Sequence, residues 1–253
     1  MPLSTRSSVE TKVVEKAAAE DYPLSAVPLF DRKPFWSLSL LLMGFALTST
    51  TLFAGGAIGP AFSFPQLIAV IIIGNLILGA YCAALGYIAS QSGLTTVLMA
   101  RFSFGNAGSR WVDFILGFTQ IGWYAFTTAV VVQALLGAFG VEATGLWYVL
   151  LVFFFNYAFC ATAYIGYSAI DWLSRLAVPA MLILVAVSMA LAFRDFGSAT
   201  IAPPTGDLSM GAALAVVIGT FISGGTQSTN WSRFADSGKS AVIATLSAFT
   251  LVN

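Results

Sequence analysis

Leu47-Thr48-Ser49-Thr50-Thr51-Leu52, followed by Gly55-Gly56, and Phe221-Ile222-Ser223-Gly224-Gly225-Thr226 are the two stretches that decide how this chain folds. Each is a polar, backbone-loosening cluster inside a long apolar run, the first running from Trp36 to Ile58 and the second from about Met210 to Trp231. Hydrocarbon offers backbone groups no hydrogen-bond partner, so an uninterrupted spanning helix has no use for such a cluster. A broken helix does, because its freed amides and carbonyls can hold a solute and a cation at the midplane. Paired breaks at corresponding depths are a sequence pointer to the binding site of a secondary transporter. Taken singly, either cluster also reads as Ser/Thr side chains bonding back to the preceding turn, with glycines serving packing.

The rest of the chain agrees with a membrane setting. Mean hydropathy is +0.88, 58% of the residues are apolar and 9% are charged, which excludes an ordinary soluble domain. Apolar runs of roughly 20 residues, each able to cross about 30 Å of hydrocarbon, predict spans over 36–58, 66–89, 113–139, 146–168, 173–193 and 210–231. A seventh begins near Ser240 and is still apolar at Asn253, so the sequence reads as a piece of a longer parent chain that ends inside an element. Of the eleven lysines and arginines only Arg194 falls outside if the N-terminus is cytoplasmic, and this asymmetry sets the expected orientation. Residues 1–35 are polar and mixed in charge, hence a cytoplasmic tail rather than a signal peptide, with Asp21-Tyr22-Pro23-Leu24 as the part suited to dock on the inner face. Residues 36–253 form the transmembrane domain. The expected setting is the cell inner (cytoplasmic) membrane.

Zero net charge points to no nucleic acid, and two isolated cysteines make neither a disulfide framework nor a metal site. No HExxH, paired intramembrane carboxylates or Ser/His pair is present, as a membrane-embedded enzyme would require. Nor does any span carry a deep ionisable residue; Asp113 sits at a span entrance. Intramembrane charges mark proton relays and charged-substrate sites, so their absence favours a neutral solute and a hard cation held by carbonyl and hydroxyl oxygens. Sodium is the expected coupling ion, with no organic cofactor and no obligate protein partner.

Within the spans, Gly79 and Ala83 share a helical face suited to close packing. The amphipathic stretch from Gly93 to Gly105 predicts an interfacial or re-entrant helix. Trp36, Trp111, Trp147, Trp172 and Trp231 fall at span ends, as in an aromatic belt. Trp123 does not, and Gln120 precedes it by three residues on the same helical face. A flat ring beside a primary amide at mid-depth suits a planar, hydrogen-bonding solute, the ring stacking while the amide reads an edge. The same pair reads equally as a core tryptophan beside a glutamine bonded across helices.

Several runs together resemble the nucleobase–cation symporter family 1, and most closely its cytosine permease branch. They include Gly55-Gly56-Ala57-Ile58-Gly59, Gly74-Asn75-Leu76-Ile77-Leu78-Gly79, Ala100-Arg101-Phe102-Ser103-Phe104-Gly105, Thr119-Gln120-Ile121-Gly122-Trp123 and Gly219-Thr220-Phe221-Ile222-Ser223. The resemblance implies an all-α integral membrane protein of the leucine-transporter type, with inverted five-helix repeats; the first repeat, the sixth helix and the start of the seventh are present. It also implies that Trp123 and Phe221 sandwich a base, that Gln120 and Ser223 hydrogen-bond its edges, and that Ser49 joins the substrate-binding set. Backbone carbonyls at Thr48 and Thr51 would hold sodium, with further ligands on an eighth helix beyond Asn253. The implied activity is sodium-coupled uptake of cytosine or a similar neutral nucleobase. The other expectations are a proton-coupled purine, allantoin or hydantoin permease of the same family, and a non-transporting sensor or assembly subunit. Two places depart from the family pattern: Thr48 and Thr50 replace aromatic and smaller residues, and Thr226-Gln227-Ser228-Thr229-Asn230-Trp231 is more polar.

Overall fold

The computed structural model describes residues 21–165, 167–196 and 204–253, with a few side chains, that of Ser49 among them, outside the described set. The expected tail before Asp21 therefore lies outside the described residues. Those described are all-α: α1 (Phe35–Ala46), α2 (Ser49–Ile58), α3 (Phe64–Ser92), α4 (Thr96–Ala138), α5 (Gly145–Ile165), α6 (Tyr167–Phe196), α7 (Met210–Gly219), α8 (Ile222–Gln227), α9 (Thr229–Ser232) and α10 (Gly238–Ser247), the last continuing as a π turn over Ala248–Val252. Extended-chain pairing among the described residues is limited to one isolated bridge, Lys33 to Ala235.

By length and composition four of these stretches can cross a bilayer, Phe64–Ser92, Thr96–Ala138, Ala169–Leu191 and Met210–Ser232. The bent pair α1–α2 makes a fifth, its halves inclined by 52°. The remaining expected span, 146–168, coincides with the apolar helix α5, 21 residues long. At 43 residues α4 would reach about 65 Å if straight, about twice the hydrocarbon thickness. It does not run straight: Gly105 adopts φ 67°, ψ −179°, a conformation outside the helical region and open to glycine. The break divides a short amphipathic arm from a membrane-length helix, which is how the sequence separates 93–105 from 113–139.

Local sequence sets the helix ends. Ser63 and Gln66 form a capping box ahead of α3 with Pro65 in its first turn. Thr95, Ser209 and Ser237 each accept an amide of the first turn of α4, α7 and α10. Gly93 ends α3 in the left-handed conformation, φ 70°.

At the centre lies α3, packed against α7, α9, α10 and the π turn. Its contact face is made of small residues, and that is why the neighbours come close: a Cβ on Gly74 would lie 2.6 Å from Val217, and one on Gly86 2.8 Å from the Thr245 hydroxyl. Gly79 meets Thr250 and Leu246 in the same way, and Ala83 is buried. Against α6, α1 packs through Gly44 beneath Val178 and through the Ser37 hydroxyl, which donates to Asp171 at 2.6 Å. Four of the span-end tryptophans are exposed as an aromatic belt requires. Trp231 is the exception. It turns inward onto Phe45, ring centroids 4.2 Å apart, in a cluster that includes Phe221 and Phe249, because α9 carries it back into the bundle.

Residues 21–34 strap one end of this bundle. Asp21 and Tyr22 take consecutive left-handed conformations, φ 57° and 53°, and both carbonyls accept from the Arg233 guanidinium, at 2.5 and 2.9 Å. Arg233 is 5% exposed, spends a third donor on Asn230 and lies over the Phe234 ring. Burial pushes its guanidinium down to about 10, so it is still a cation at neutral pH. Arg32 bridges the carbonyls of Val27, Ser90 and Ala235, tying the strap to the end of α3 and to the α9–α10 turn. Hydrogen bonds to a charged donor are worth about 1.5–3 kcal/mol each. Replacing Arg233 by methionine should lower the melting temperature and open the chain around Tyr22 to limited proteolysis. An unchanged cleavage pattern would show that the strap holds without it.

Candidate functional site

Both helix breaks expected from the sequence exist. In the first, α1 ends at Ala46, Leu47 is extended with ψ 90°, and Thr48 caps α2 with φ −125°, ψ 157°. The break is closed internally: the Thr51 hydroxyl donates to the Thr48 carbonyl at 2.8 Å, and the Thr48 and Thr50 hydroxyls lie 2.6 Å apart. In the second, Phe221 leaves the helical region with φ −130°, ψ 1° and separates α7 from α8. Ile222, Ser223 and Gly224 thus begin a new helix, whose first amides have no acceptor within it.

A cavity of about 220 Å³ opens between the two breaks and α4. It gathers Thr48, Gln120, Trp123, Phe221 and Ser223, five of the seven residues singled out in the sequence. Trp123 is 36% exposed and Phe221 is buried. The Gln120 Nε2 is buried with no hydrogen-bond partner among the described residues. An unpaired amide of that kind costs about 1–3 kcal/mol, and here it borders a cavity. Of Ser49 only the backbone is described, at the start of α2. Thr51 does not face this cavity. It lines a smaller one of about 100 Å³ with Asn75, Thr220 and Asn253, so the two threonines whose carbonyls are expected to share one cation line different cavities. Asn75 is 3% exposed, and its amide exchanges hydrogen bonds with Asn253.

Other residues complete the larger cavity without having been singled out: Phe45, Thr50, Tyr124, Thr127 and Thr220. A signal for two of them was present, since Gln120, Trp123, Tyr124 and Thr127 recur at i, i+3, i+4 and i+7, one face of α4. Tyr124 also donates its hydroxyl to the Asn156 carbonyl, which fixes α4 against α5. Phe45 shows no such signal. Its ring reaches the cavity because the break bends α1 away beyond it, and it packs edge-on to Phe221, centroids 5.1 Å apart.

Among the described residues, none lining the cavity carries a full charge. What the lining offers is aromatic surface, one amide, several hydroxyls and the start of a helix. A partly enclosed chamber between broken, membrane-length helices is the architecture of a membrane transport protein. The chain belongs to the family of permeases for cytosine/purines, uracil, thiamine and allantoin, which matches residues 32–253. It is 36% identical over 233 residues to the cytosine permease of Escherichia coli strain K12 and, equally, to that of Escherichia coli O157:H7. The matches cover 90% of this chain and 54% of each permease, so the chain spans about half the length of the curated relatives it matches.

The orphaned amide has a measurable consequence. Gln120→Met keeps the length of the side chain and removes the unpaired group, so the ligand-free protein should melt higher. A lower melting temperature would mean that Gln120 has a partner which the methionine cannot replace.

Proposed function

We propose that the full-length protein carrying this chain is a secondary active transporter that takes up cytosine or a similar neutral nucleobase together with sodium, by alternating access. The observation that carries this reading is the buried, unpartnered amide of Gln120 on a cavity walled by Trp123 and Phe221. An amide supplies a donor and an acceptor and can pair with a base edge, while the two rings supply flat faces for stacking. A cavity of about 220 Å³ is smaller than the roughly 300–1,000 Å³ of pockets for drug-sized ligands, which suits one small heterocycle. The uncharged lining favours a neutral form of it. Membership in a permease family whose description includes cytosine and purines supports the same class, as does the likeness to the cytosine permeases of Escherichia coli.

In this reading Ser223 reads a second edge of the base and Ser49 borders the site from the first break. Sodium is held beside the break by carbonyls of Thr48 and Thr51. The Thr48 carbonyl already accepts from the Thr51 hydroxyl, yet an oxygen with two lone pairs can serve both. The fold is of the leucine-transporter type with inverted repeats, of which residues 36–253 supply the first and part of the second; residues 1–35 are the cytoplasmic tail. The protein sits in the cytoplasmic membrane with its N-terminus inside.

Two measurements test the proposal on the full-length protein in proteoliposomes. Uptake should follow an imposed sodium gradient and change little with external pH; uptake driven by a proton gradient alone would replace sodium with proton coupling. Base–aromatic stacking is worth about 1–3 kcal/mol, so Trp123→Ala should weaken binding roughly ten- to a hundredfold, and Trp123→Phe less. Normal affinity in folded Trp123→Ala would remove α4 from the site.

A further inference from the structure

The run Thr226-Gln227-Ser228-Thr229-Asn230-Trp231 is more polar than the family pattern, and the structure shows where its side chains go. Gln227 Nε2 donates to the carbonyl of Leu116 on α4, at 3.2 Å. Asn230 Oδ1 accepts from both the amide and the hydroxyl of Thr96, each at 3.1 Å. The Thr96 hydroxyl also meets that of Thr229 at 2.5 Å, buried. The first of these bonds joins the two walls of the cavity, whereas those of Thr96 hold the arm of α4 that precedes the Gly105 break. Leu116 lies one helical turn before Gln120, and Gln227 lies one turn after Ser223. Leu116–Gln227 is therefore a rung between α4 and the antiparallel α8, one turn from the level of Gln120 and Ser223.

We propose that Gln227 is a positioning residue that fixes the separation of the cavity walls and so limits the ligand to one flat ring. The inference rests on the reading of that cavity as a nucleobase site. Helical geometry sends the backbone amide of Gln120 to the carbonyl of Leu116, so Gln227 and Gln120 share one acceptor. The distance from Ser223 to the recognition amide is then set by a single side chain. Asn230 acts elsewhere: the Thr96 amide, in the first turn of α4, has no acceptor within its own helix, and Asn230 supplies one. The Gly105 break separates that contact from the wall that carries Gln120.

The rung can be cut without leaving a buried orphan at Leu116, whose carbonyl keeps the backbone amide of Gln120. The experiment uses the full-length protein in detergent and compares it with Gln227→Met and with Asn230→Leu, which cuts the contact beyond the Gly105 break instead. Spin labels at the exposed positions Ile121 and Ile222 report the wall separation without ligand. Cytosine and the two-ring base adenine, each titrated alone, report discrimination. Gln227→Met should broaden the distance distribution, and cytosine should lose about tenfold, or 1.4 kcal/mol, of its advantage over adenine. Asn230→Leu should match the parent in both. An unchanged distance distribution in folded Gln227→Met overturns the proposal, as does an equal loss for both bases. A parent protein that binds neither base overturns the nucleobase reading instead, and the label distances then decide on the rung separately.

Discussion

Hydrocarbon cannot hydrogen-bond to a peptide group, and everything distinctive in this bundle follows from how its interrupted backbone is satisfied. A helix that breaks at mid-depth frees polar groups that lipid would penalise by several kcal/mol each. The first break answers internally, through the Thr51 hydroxyl on the Thr48 carbonyl. The second turns over one residue, Phe221, and points its new helix start into a cavity. Neither solution needs an ionisable side chain. The site can therefore be made of neutral groups, and its selectivity comes from shape and hydrogen-bond pattern.

The same constraint explains the small residues of α3. Close approach of α9, α10 and the π turn hides their polar side chains from lipid, and glycine at positions 79 and 86 is what permits the approach. Thr245 in these contacts bonds back to the Ala241 carbonyl of its own helix and meets the Ser232 hydroxyl. Packing and polarity are thus not separate requirements here. A larger residue at Gly86 would push Ser232 and Thr245 apart and leave both in need of new partners.

Much of this was legible in the sequence. The breaks could be read because serine, threonine and glycine clusters are conspicuous against an apolar run. Gln120 and Trp123 stood out because an amide and a tryptophan are unexpected at mid-depth. Less legible was anything set by contact between distant segments. The inward turn of Trp231 depends on α9 being a single short turn after Ser228, and local composition at Ser228 does not reveal it. That Thr48 and Thr51 face different cavities depends on the 52° bend, whereas a straight helix would place residues three apart on one side. Thr220, at the second break, borders both cavities. Docking of Asp21 and Tyr22 depends on Arg233, more than two hundred residues away, and the polar run after Gly225 made sense only once α4 was seen beside it.

The strap formed by residues 21–34 also has a consequence for the order of biosynthesis. Its partners on the α9–α10 turn, Arg233, Phe234, Ala235 and Asp236, are made long after it. A chain emerging N-terminus first must therefore carry Asp21 and Tyr22 without these contacts while α1 to α8 are inserted. Their paired left-handed backbone, uncommon for residues other than glycine, gains its guanidinium support only when Arg233 arrives. The earliest described segment to leave the ribosome is thus among the last to be locked, and its closure registers that α9 has reached its place.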